Sequence, residues 1–407
     1  MRFATLSACL AALAITPPAA AQMGMPKPLP AEALVDQAEP DKAAWLTRNI
    51  VAEGPIAGGI AFRFPASFYR SKLILLGESH GFAAPQVVDL ELLRHLNQRI
   101  GLTDYVAEVD PVQADLLNRY LVTGDDALLT RVFDFWTKGG AQWGNRAFEA
   151  KVRGIRALNQ RLPEKRRIRL LGIDAIQDWA LVAEWAANGD AEAVKRLAAA
   201  PKDDRARTLR AAIADRTGKV AGQLRATLDD AVAGKGREAI IFDSYARAVG
   251  GDLLGNRPAY GLWGMYHVMQ AGINKTRPFA ARVVASDLPA AKATTSVALL
   301  ALDSAVQIPA PMPTGLRRLR MTNFNIDGPY VMVKGAATLR AASRPSTVRI
   351  FDLGAKGTPF TGSAFSEVAT SIGQSFAPDA TGADAPRMAQ YLGVFTNSDW
   401  AAPREPQ

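Results

Sequence analysis

Short apolar runs alternate along the first half of the chain with longer segments in which apolar residues recur at helical spacing. The run KLILL at 72–76 predicts a buried strand that stops at Gly77, and residues 85–100 then follow a helical period. Further strands are predicted at 104–110 and 167–174, after intervening helices. Because the strands alternate with helices and are apolar on both faces, the pattern predicts an α/β fold with a mostly parallel central sheet flanked by helices.

The pattern changes in the middle of the chain. Residues 188–254 are rich in Ala, Arg, Asp and Lys and contain no strand-like run, so we predict an insertion of two or three helices in which no binding chemistry stands out. Residues 259–269 return to a buried strand that runs into a helix. Later strands are predicted at 280–285, 330–333, 348–353 and 391–395. The sequence thus predicts a single α/β domain over 46–407, preceded by a loosely ordered, Pro- and Ala-rich lead-in at 22–45.

The first residues have the pattern of a secretory signal peptide. Arg2 supplies the positive charge, residues 4–15 form an apolar core too short to cross a bilayer, and Ala19-Ala20-Ala21 fits an A-x-A cleavage site. We therefore expect residues 1–21 to be removed and the protein to be exported, to the periplasm or the medium, with no membrane insertion after cleavage.

The cysteine content and the net charge of the chain exclude further kinds of site chemistry and partner. The single cysteine, Cys9, lies inside the predicted signal, where LSAC resembles a lipoprotein box but leaves too little apolar sequence before it. The mature chain would therefore have no disulfide and no thiolate nucleophile. The formal net charge is +9, but the basic clusters at 165–169 and 317–320 are not interleaved with aromatic residues in a nucleic-acid-binding pattern. We expect solvated surface charge and a small-molecule substrate, with no nucleic-acid partner; the oligomeric state is left open.

Each of the strands predicted up to residue 270 ends in a carboxylate or an imidazole. The first strand ends in Glu78 and His80, the second in Glu108, the third in Asp174 and the fourth in His267. In an open parallel sheet, ligands bind beyond the carboxyl ends of the strands, so these side chains are predicted to meet in one cleft.

The residue types in this set suit acid–base chemistry. Glu78 and His80 are two residues apart on an extended segment and should face the same way, which makes His80 a plausible general base. Glu108 could share a proton or orient water, and His267 could act as an acid or as a donor to a developing anion. For Glu108 a partnered buried carboxylate, and for His267 a core histidine, are the structural alternatives.

Three more residues are candidates for contact with a substrate. Trp263 and Tyr266 could line an apolar pocket beside His267, although aromatic residues are more often part of the core. Asp174 could bind substrate, or it could cap a helix or close a turn.

A different interpretation is possible for residues 77–81, GESHG, because G-x-S-x-G is the nucleophile elbow of serine hydrolases. The order Ser79, Asp174, His267 also matches the α/β-hydrolase triad. Against it, few residues precede the motif, no Gly-rich oxyanion loop is found, and Glu108 is left without a role. We keep the serine hydrolase as an alternative.

Four motifs follow one another along the chain: LLGESHG at 75–81, YVAEVD at 105–110, GID at 172–174 and LWGMYHVM at 262–269. Together they resemble the erythromycin esterase family, part of a superfamily that also contains ChaN-type and TIKI/TraB-type proteins. The resemblance implies metal-independent hydrolysis of an ester or lactone by water that Glu78, His80, Glu108 and His267 activate, with no cofactor and no covalent serine. The TIKI/TraB-like relatives imply instead a divalent metal bound by such residues, and hence a metal-dependent hydrolase or protease.

The sequence departs from the family pattern in two places. Residues 82–84 are Phe-Ala-Ala where the family has a polar residue, and the first basic residue in the following helix is Arg94. Met265-Tyr266 also stands where the family tends to have His-Asn before the last histidine. Our main hypothesis is an exported hydrolase of this type, and the departures make a catalytically inactive periplasmic ligand-binding protein the alternative.

The signal-peptide hypothesis predicts the amino terminus of the mature protein. When the complete sequence is expressed in a bacterium, the periplasmic protein should begin at Gln22, because the small residues Ala19 and Ala21 fit the cleavage site. Intact-mass and amino-terminal analysis measure this. Ala21→Arg is the control and should leave the precursor uncleaved; a wild-type protein that keeps Met1 would contradict the hypothesis.

Overall fold

The computed structural model describes residues 27–312, 315–362, 364–371, 375–379 and 384–404. The predicted signal peptide, residues 1–21, lies outside the described residues. None of the helices in the described ranges has the length and apolar character that a membrane span requires. In the described ranges, the chain forms one nine-stranded sheet with helices around it and three small two-stranded sheets.

The strands of the described residues are short, and most are buried. They are β1 (Ile50–Pro55), β2 (Ala61–Phe62), β3 (Leu73–Glu78), β4 (Asp104–Ala107), β5 (Arg169–Gly172), β6 (Ala259–Gly264), β7 (Thr294–Leu302), β8 (Val306–Met312), β9 (Gly315–Met321), β10 (Phe324–Asn325), β11 (Gly328–Pro329), β12 (Val331–Val333), β13 (Thr347–Asp352), β14 (Val368–Thr370) and β15 (Tyr391–Thr396).

The α-helices of the described residues alternate with these strands. They are α1 (Pro40–Arg48), α2 (Ala66–Tyr69), α3 (Ala84–Ile100), α4 (Pro111–Thr123), α5 (Asp126–Lys138), α6 (Arg146–Arg161), α7 (Trp179–Ala187), α8 (Ala191–Ala198), α9 (Arg205–Ala212), α10 (Lys219–Val232), α11 (Arg237–Gly250), α12 (Phe279–Val284), α13 (Ala336–Ala341) and α14 (Ala385–Met388).

The large sheet is mostly parallel, as the apolar pattern predicts. Its order is β2-β1-β13-β15-β7-β3-β6-β4-β5, and every pair from β15 to β5 is parallel. The three strands at the other edge are antiparallel. All six residues of β3 are buried, because helices cover both faces of a parallel sheet.

The structure corrects one strand prediction and adds one strand that was not predicted. Residues 280–285, predicted as a strand, lie largely in helix α12, which begins directly after Pro278. A short apolar run fits either state by periodicity, and here the preceding proline favours a helix start. Strand β7, which the sequence analysis missed, pairs with β15 on one side and β3 on the other. Its Ala- and Leu-rich sequence has no strong strand preference, so its two neighbours in the sheet decide its conformation.

The predicted insertion is helical but contains more helices than expected. The described residues between 188 and 254 form α8, α9, α10 and α11 instead of two or three helices. Asp190 caps α8, and Gly218 and Gly236 precede α10 and α11, so local start signals divide the segment. Helix α10 packs against α4, which attaches the insertion to the main domain.

The described part of the lead-in is tied to the carboxyl-terminal half of the chain. A short 3-10 helix spans Ala31–Leu34, and α1 begins at Pro40, inside the segment predicted to be loosely ordered. The carboxylate of Asp36 accepts hydrogen bonds from the backbone N–H groups of Gly335 and Ala337, at 3.3 and 2.7 Å. These bonds supply acceptors for the free donors at the start of α13.

Strands β4 and β6 pair over only two residues and then separate. Asp104 pairs with Ala259 and Tyr105 with Tyr260, and the next backbone groups are bonded by side chains. The Trp263 indole donates to the Val106 carbonyl (3.1 Å), and the Leu262 N–H donates to the Tyr105 hydroxyl (3.1 Å). Buried backbone groups need such partners wherever a ladder ends. The separation opens a cleft at the carboxyl ends of the strands.

This opening makes Gly261 of β6 a sensitive position. A Cβ atom there would lie 2.0 Å from the Val106 carbonyl oxygen, which is backbone and cannot rotate away. We expect Gly261→Ala to lower the free energy of unfolding by about 1–3 kcal/mol or more, as overpacking does. Urea denaturation measures this change.

Gly222→Ala in α10 is the matched control. A Cβ at Gly222 meets no atom within 4 Å, so this substitution should raise stability by the usual helix preference, about 0.5–1 kcal/mol. A Gly261→Ala protein as stable as the wild type would show that β4 and β6 can move apart without cost.

Candidate active site

The end of β3 brings Glu78 and His80 together. The two residues are 5% and 7% exposed, and Nδ1 of His80 lies 2.9 Å from Oε1 of Glu78. Gln86, in the first turns of α3, donates its amide Nε2 to both oxygens of Glu78, at 3.1 and 2.9 Å. Gly81 makes the turn that follows, with φ of 95°, a conformation that favours glycine.

The surroundings of His80 make it more basic than a free imidazole. Burial lowers its pKa, but the hydrogen bond and charge of Glu78, with the charge of Glu108, outweigh burial and raise the pKa above its usual 6.5. Since Glu78 accepts from Nδ1, the neutral ring carries its lone pair on Nε2. Nε2 is buried and has no hydrogen-bond partner among the described residues. His80 is therefore set up to accept a proton at Nε2.

Glu108, just beyond β4, is held by three groups. Its Oε2 accepts from the Gly264 N–H at 2.7 Å, and its Oε1 lies 2.7 Å from Nη2 of Arg237 and 3.4 Å from Nε2 of His267. Burial raises the pKa of this carboxyl, but His267 and Arg237 outweigh burial and hold the pKa well below its usual range. Glu108 is therefore ionised at neutral pH.

His267 is fully buried between two carboxylates. Its Nδ1 lies 2.8 Å from Oε1 of Glu238, and its Nε2 faces Glu108. Burial lowers its pKa, but Glu238 and Glu108 outweigh burial and raise the pKa to about 10. His267 is an imidazolium at neutral pH, and it positions Glu108 without lining the cavity described below.

The three predicted substrate-contact residues are held by other groups of the protein. Asp174 is fully buried, and its carboxylate accepts hydrogen bonds from Nε and Nη2 of Arg237, at 2.9 and 2.7 Å. Trp263 is buried with its N–H on the Val106 carbonyl, and the Tyr266 hydroxyl lies 2.5 Å from Oγ1 of Thr276. None of the three lines the cavity, so the prediction of direct contact receives no support from their positions.

Arg237 and Glu238 are functional candidates that the sequence analysis missed. They begin α11, inside the insertion in which no binding chemistry was expected. Arg237 bridges Glu108 and Asp174, and these carboxylates raise its pKa well above the usual value although burial lowers it. The available signal was an adjacent Arg-Glu pair after Gly236, which does not stand out in a segment rich in charges.

A cavity lies beside Glu78, His80 and Glu108. Its wall includes Glu78, His80, Glu108, Lys151 of α6, Gln177 and Trp143, together with apolar residues of α4, α6 and β6. The Trp143 ring stands edge-on to the His80 ring, with centroids 5.1 Å apart. Glu78, His80 and Glu108 thus converge on one space, while their chemical roles stay predictions.

The serine triad is not assembled in the described structure. The carboxylate of Asp174 is bound by Arg237 and Gln177, and both ring nitrogens of His267 face glutamates. Ser79 does not line the cavity, and the left-handed backbone position of the turn falls at Gly81 instead. A nucleophile elbow requires its strained turn at the serine itself.

The donor set does not fit a divalent metal. In the described ranges, no group of three or more His, Cys, Asp or Glu residues is arranged to hold an ion. Oε1 of Glu108 already binds the Arg237 guanidinium, and each ring nitrogen of His267 already faces a glutamate.

Comparison with known proteins gives the fold. No family model and no curated protein matches the sequence. A solved Bacillus cereus protein superposes with a TM-score of 0.64 at 12% identity, covering 90% of this chain and 99% of that one. A succinoglycan biosynthesis protein gives 0.60 at 10% identity, covering 90% and 98%. A mutant of the erythromycin esterase EreC, in its open conformation, gives 0.55 at 12% identity, covering 81% and 92%.

At these identities the comparisons show the fold alone. The chain has an erythromycin esterase-like α/β fold, as the resemblance of its motifs implies.

The three histidines should titrate at widely separated pH values. Burial and Arg99 lower the pKa of His95, whereas the pKa of His80 lies above 6.5 and that of His267 near 10. NMR titration of the imidazole protons measures all three, and His95→Gln and His80→Gln assign the signals. A His267 signal that titrates near 6.5 would contradict the double carboxylate contact.

The raised pKa of His267 also makes the stability of the fold depend on pH. Because the pKa of His267 is raised in the folded state, its stabilising contribution is complete below about pH 6.5 and is lost as pH rises through about 10.

Proposed function

We propose that this protein is a hydrolase that uses His80 to activate water against the carbonyl group of an ester, lactone or related small molecule. The observation that carries this proposal is the state of the His80 ring: Nδ1 is fixed by Glu78, and Nε2 is buried, unpartnered and on the wall of a cavity. That arrangement is the one a general base requires.

The roles of the neighbouring groups follow from their contacts. Glu78 holds the tautomer in which Nε2 is the base and stabilises the imidazolium that forms when the water proton arrives. Gln86 fixes both oxygens of Glu78, so the carboxylate cannot turn away from the ring. The negative charge of Glu108 also favours protonated His80, and it can orient the attacking water.

In the proposed reaction, water adds to the carbonyl carbon while its proton passes to Nε2 of His80. The tetrahedral adduct then collapses, the bond to the leaving oxygen breaks, and the proton on Nε2 is transferred to that oxygen. The products are a carboxylic acid and an alcohol. No covalent enzyme intermediate is formed. If the signal at 1–21 acts as expected, the substrate is encountered outside the cytoplasm.

Substitution of His80 tests this proposal. In assays with a panel of simple esters and lactones, His80→Ala should lower kcat/KM about 10²–10⁴-fold, the usual contribution of general base catalysis. Ser79→Ala is the matched control from the same turn and should keep wild-type activity. Loss of activity in Ser79→Ala with retention in His80→Ala would establish the serine hydrolase instead.

The pH dependence of the wild type gives a second measurement in this assay. Because the unprotonated ring is the base, kcat/KM should rise with pH, with a midpoint above 6.5. Glu78→Gln removes the main group that raises this pKa, so its midpoint should fall. If no member of the panel is hydrolysed but one binds in the cavity, the protein is a ligand-binding protein of this fold.

A further inference from the structure

A second charged cluster shares the cavity with His80. It consists of Lys151 of α6, Asp89 of α3 and Tyr105 of β4, all of them buried. Nζ of Lys151 lies 2.8 Å from Oδ2 of Asp89 and 3.4 Å from the Tyr105 hydroxyl. Lys151 and Tyr105 both line the cavity, and Lys151 is the only lysine or arginine among its described lining residues.

The contacts of this cluster fix the orientation of the ammonium group. The Tyr105 hydroxyl donates to Oδ2 of Asp89 at 2.7 Å, so its oxygen accepts from Lys151 and from the Leu262 N–H. An ammonium group has three N–H donors, and Asp89 and Tyr105 take two of them. The third N–H has no nitrogen or oxygen partner among the described residues, and the group lies at the cavity wall, above the ring of Phe148 at 4.0 Å.

Stability alone does not account for a lysine at this place. A buried ion pair is often no more stabilising than apolar residues of the same volume, and α6 presents Val152 and Ile155 to the same cavity. Neither Arg237 nor the protonated His267 lines the cavity, and Nε and Nη2 of Arg237 are occupied by Glu108 and Asp174. Lys151 is thus the cation that a ligand in the cavity can reach.

Helix α3 links the cluster to the proposed base. Gln86 and Asp89 lie three residues apart on α3, and side chains at this spacing are neighbours on one helix face, about 5–6 Å between Cβ atoms. Gln86 holds Glu78, and Asp89 holds Lys151. A single helix face therefore positions both the Glu78–His80 pair and Lys151.

We propose that Lys151 donates a hydrogen bond to the carbonyl oxygen of the substrate and stabilises the negative charge that develops there, an inference that rests on the proposed hydrolase function. When water adds to the carbonyl carbon, the π electron pair moves onto this oxygen, and the water proton goes to Nε2 of His80. When the adduct collapses, the electron pair re-forms the carbonyl bond and the leaving oxygen takes the proton. Asp89 and Tyr105 are positioning residues.

The first test compares three variants for turnover of an ester that the wild type hydrolyses. Lys151→Met should lower kcat about 10²-fold or more, as loss of one oxyanion donor does, with a smaller change in KM because the contact strengthens in the transition state. Lys151→Arg keeps the cation and should recover part of kcat. Lys195→Met is the matched control, since Lys195 also lies 2.8 Å from a carboxylate, that of Glu192, but on the exposed surface.

The double variant Lys151→Met/Asp89→Asn separates a catalytic role from a structural one. Removing both charges leaves no unpaired buried ion, so thermal unfolding should return toward the wild-type temperature while kcat stays low. A double variant that regains wild-type kcat would overturn the proposal, because Lys151 would then serve only to neutralise Asp89.

Binding of the ethyl phenylphosphonate monoanion, measured by calorimetry, tests Lys151 without turnover. The wild type should bind this tetrahedral anion, and Lys151→Met should weaken binding at least tenfold. Absence of binding to the wild type, or equal binding to both proteins, would overturn the role of Lys151. If His80→Ala keeps its turnover while Lys151→Met loses it, the proposed role of His80 fails and that of Lys151 stands.

Discussion

The partial burial of the Glu108 carboxylate is the constraint on which the rest of the site depends. Where β4 and β6 separate, the Gly264 N–H loses a strand partner, and Glu108 replaces it. An ionised carboxylate in this position has to be compensated, and Arg237 and His267 supply the compensation. Arg237 also binds the carboxylate of Asp174, and His267 also faces the carboxylate of Glu238. Positive and negative groups therefore alternate from β5 to α11 behind the cavity.

This alternation gives the helical insertion a function in the main domain. Arg237 and Glu238 are the first two residues of α11, and the Phe279 N–H at the start of α12 donates to Glu238. The insertion is therefore attached to the ends of the strands by charged contacts as well as by helix packing. The Glu78–His80 pair makes no hydrogen bond to this network among the described residues, and Gln86 supports it through neutral amide donors. The site thus contains one carboxylate neutralised by cations and another that remains available to an imidazole.

The strand ends could be predicted from the sequence, but it could not be predicted which of their polar side chains are drawn away from the cavity. Glu78, His80 and Glu108 reach the cavity because period-two alternation and the carboxyl-end rule are local consequences of strand geometry. Asp174 and His267 follow the same rule, but Arg237 and Glu238 draw them behind the wall. Trp263 turns to the Val106 carbonyl because the ladder ends there. A single sequence does not specify where two strands separate, since that depends on packing between distant segments.

The sequence by itself determined the parallel sheet, the helical character of the insertion and the pairing of Glu78 with His80, because each depends on residues close together in the chain. The tertiary structure alone decided the conformation of β7, the charge state of His267 and the place of Lys151 in the cavity. These features depend on contacts between segments far apart in the chain. Burial and the charges that meet there set the strength of such contacts, and neither can be evaluated before the chain has folded.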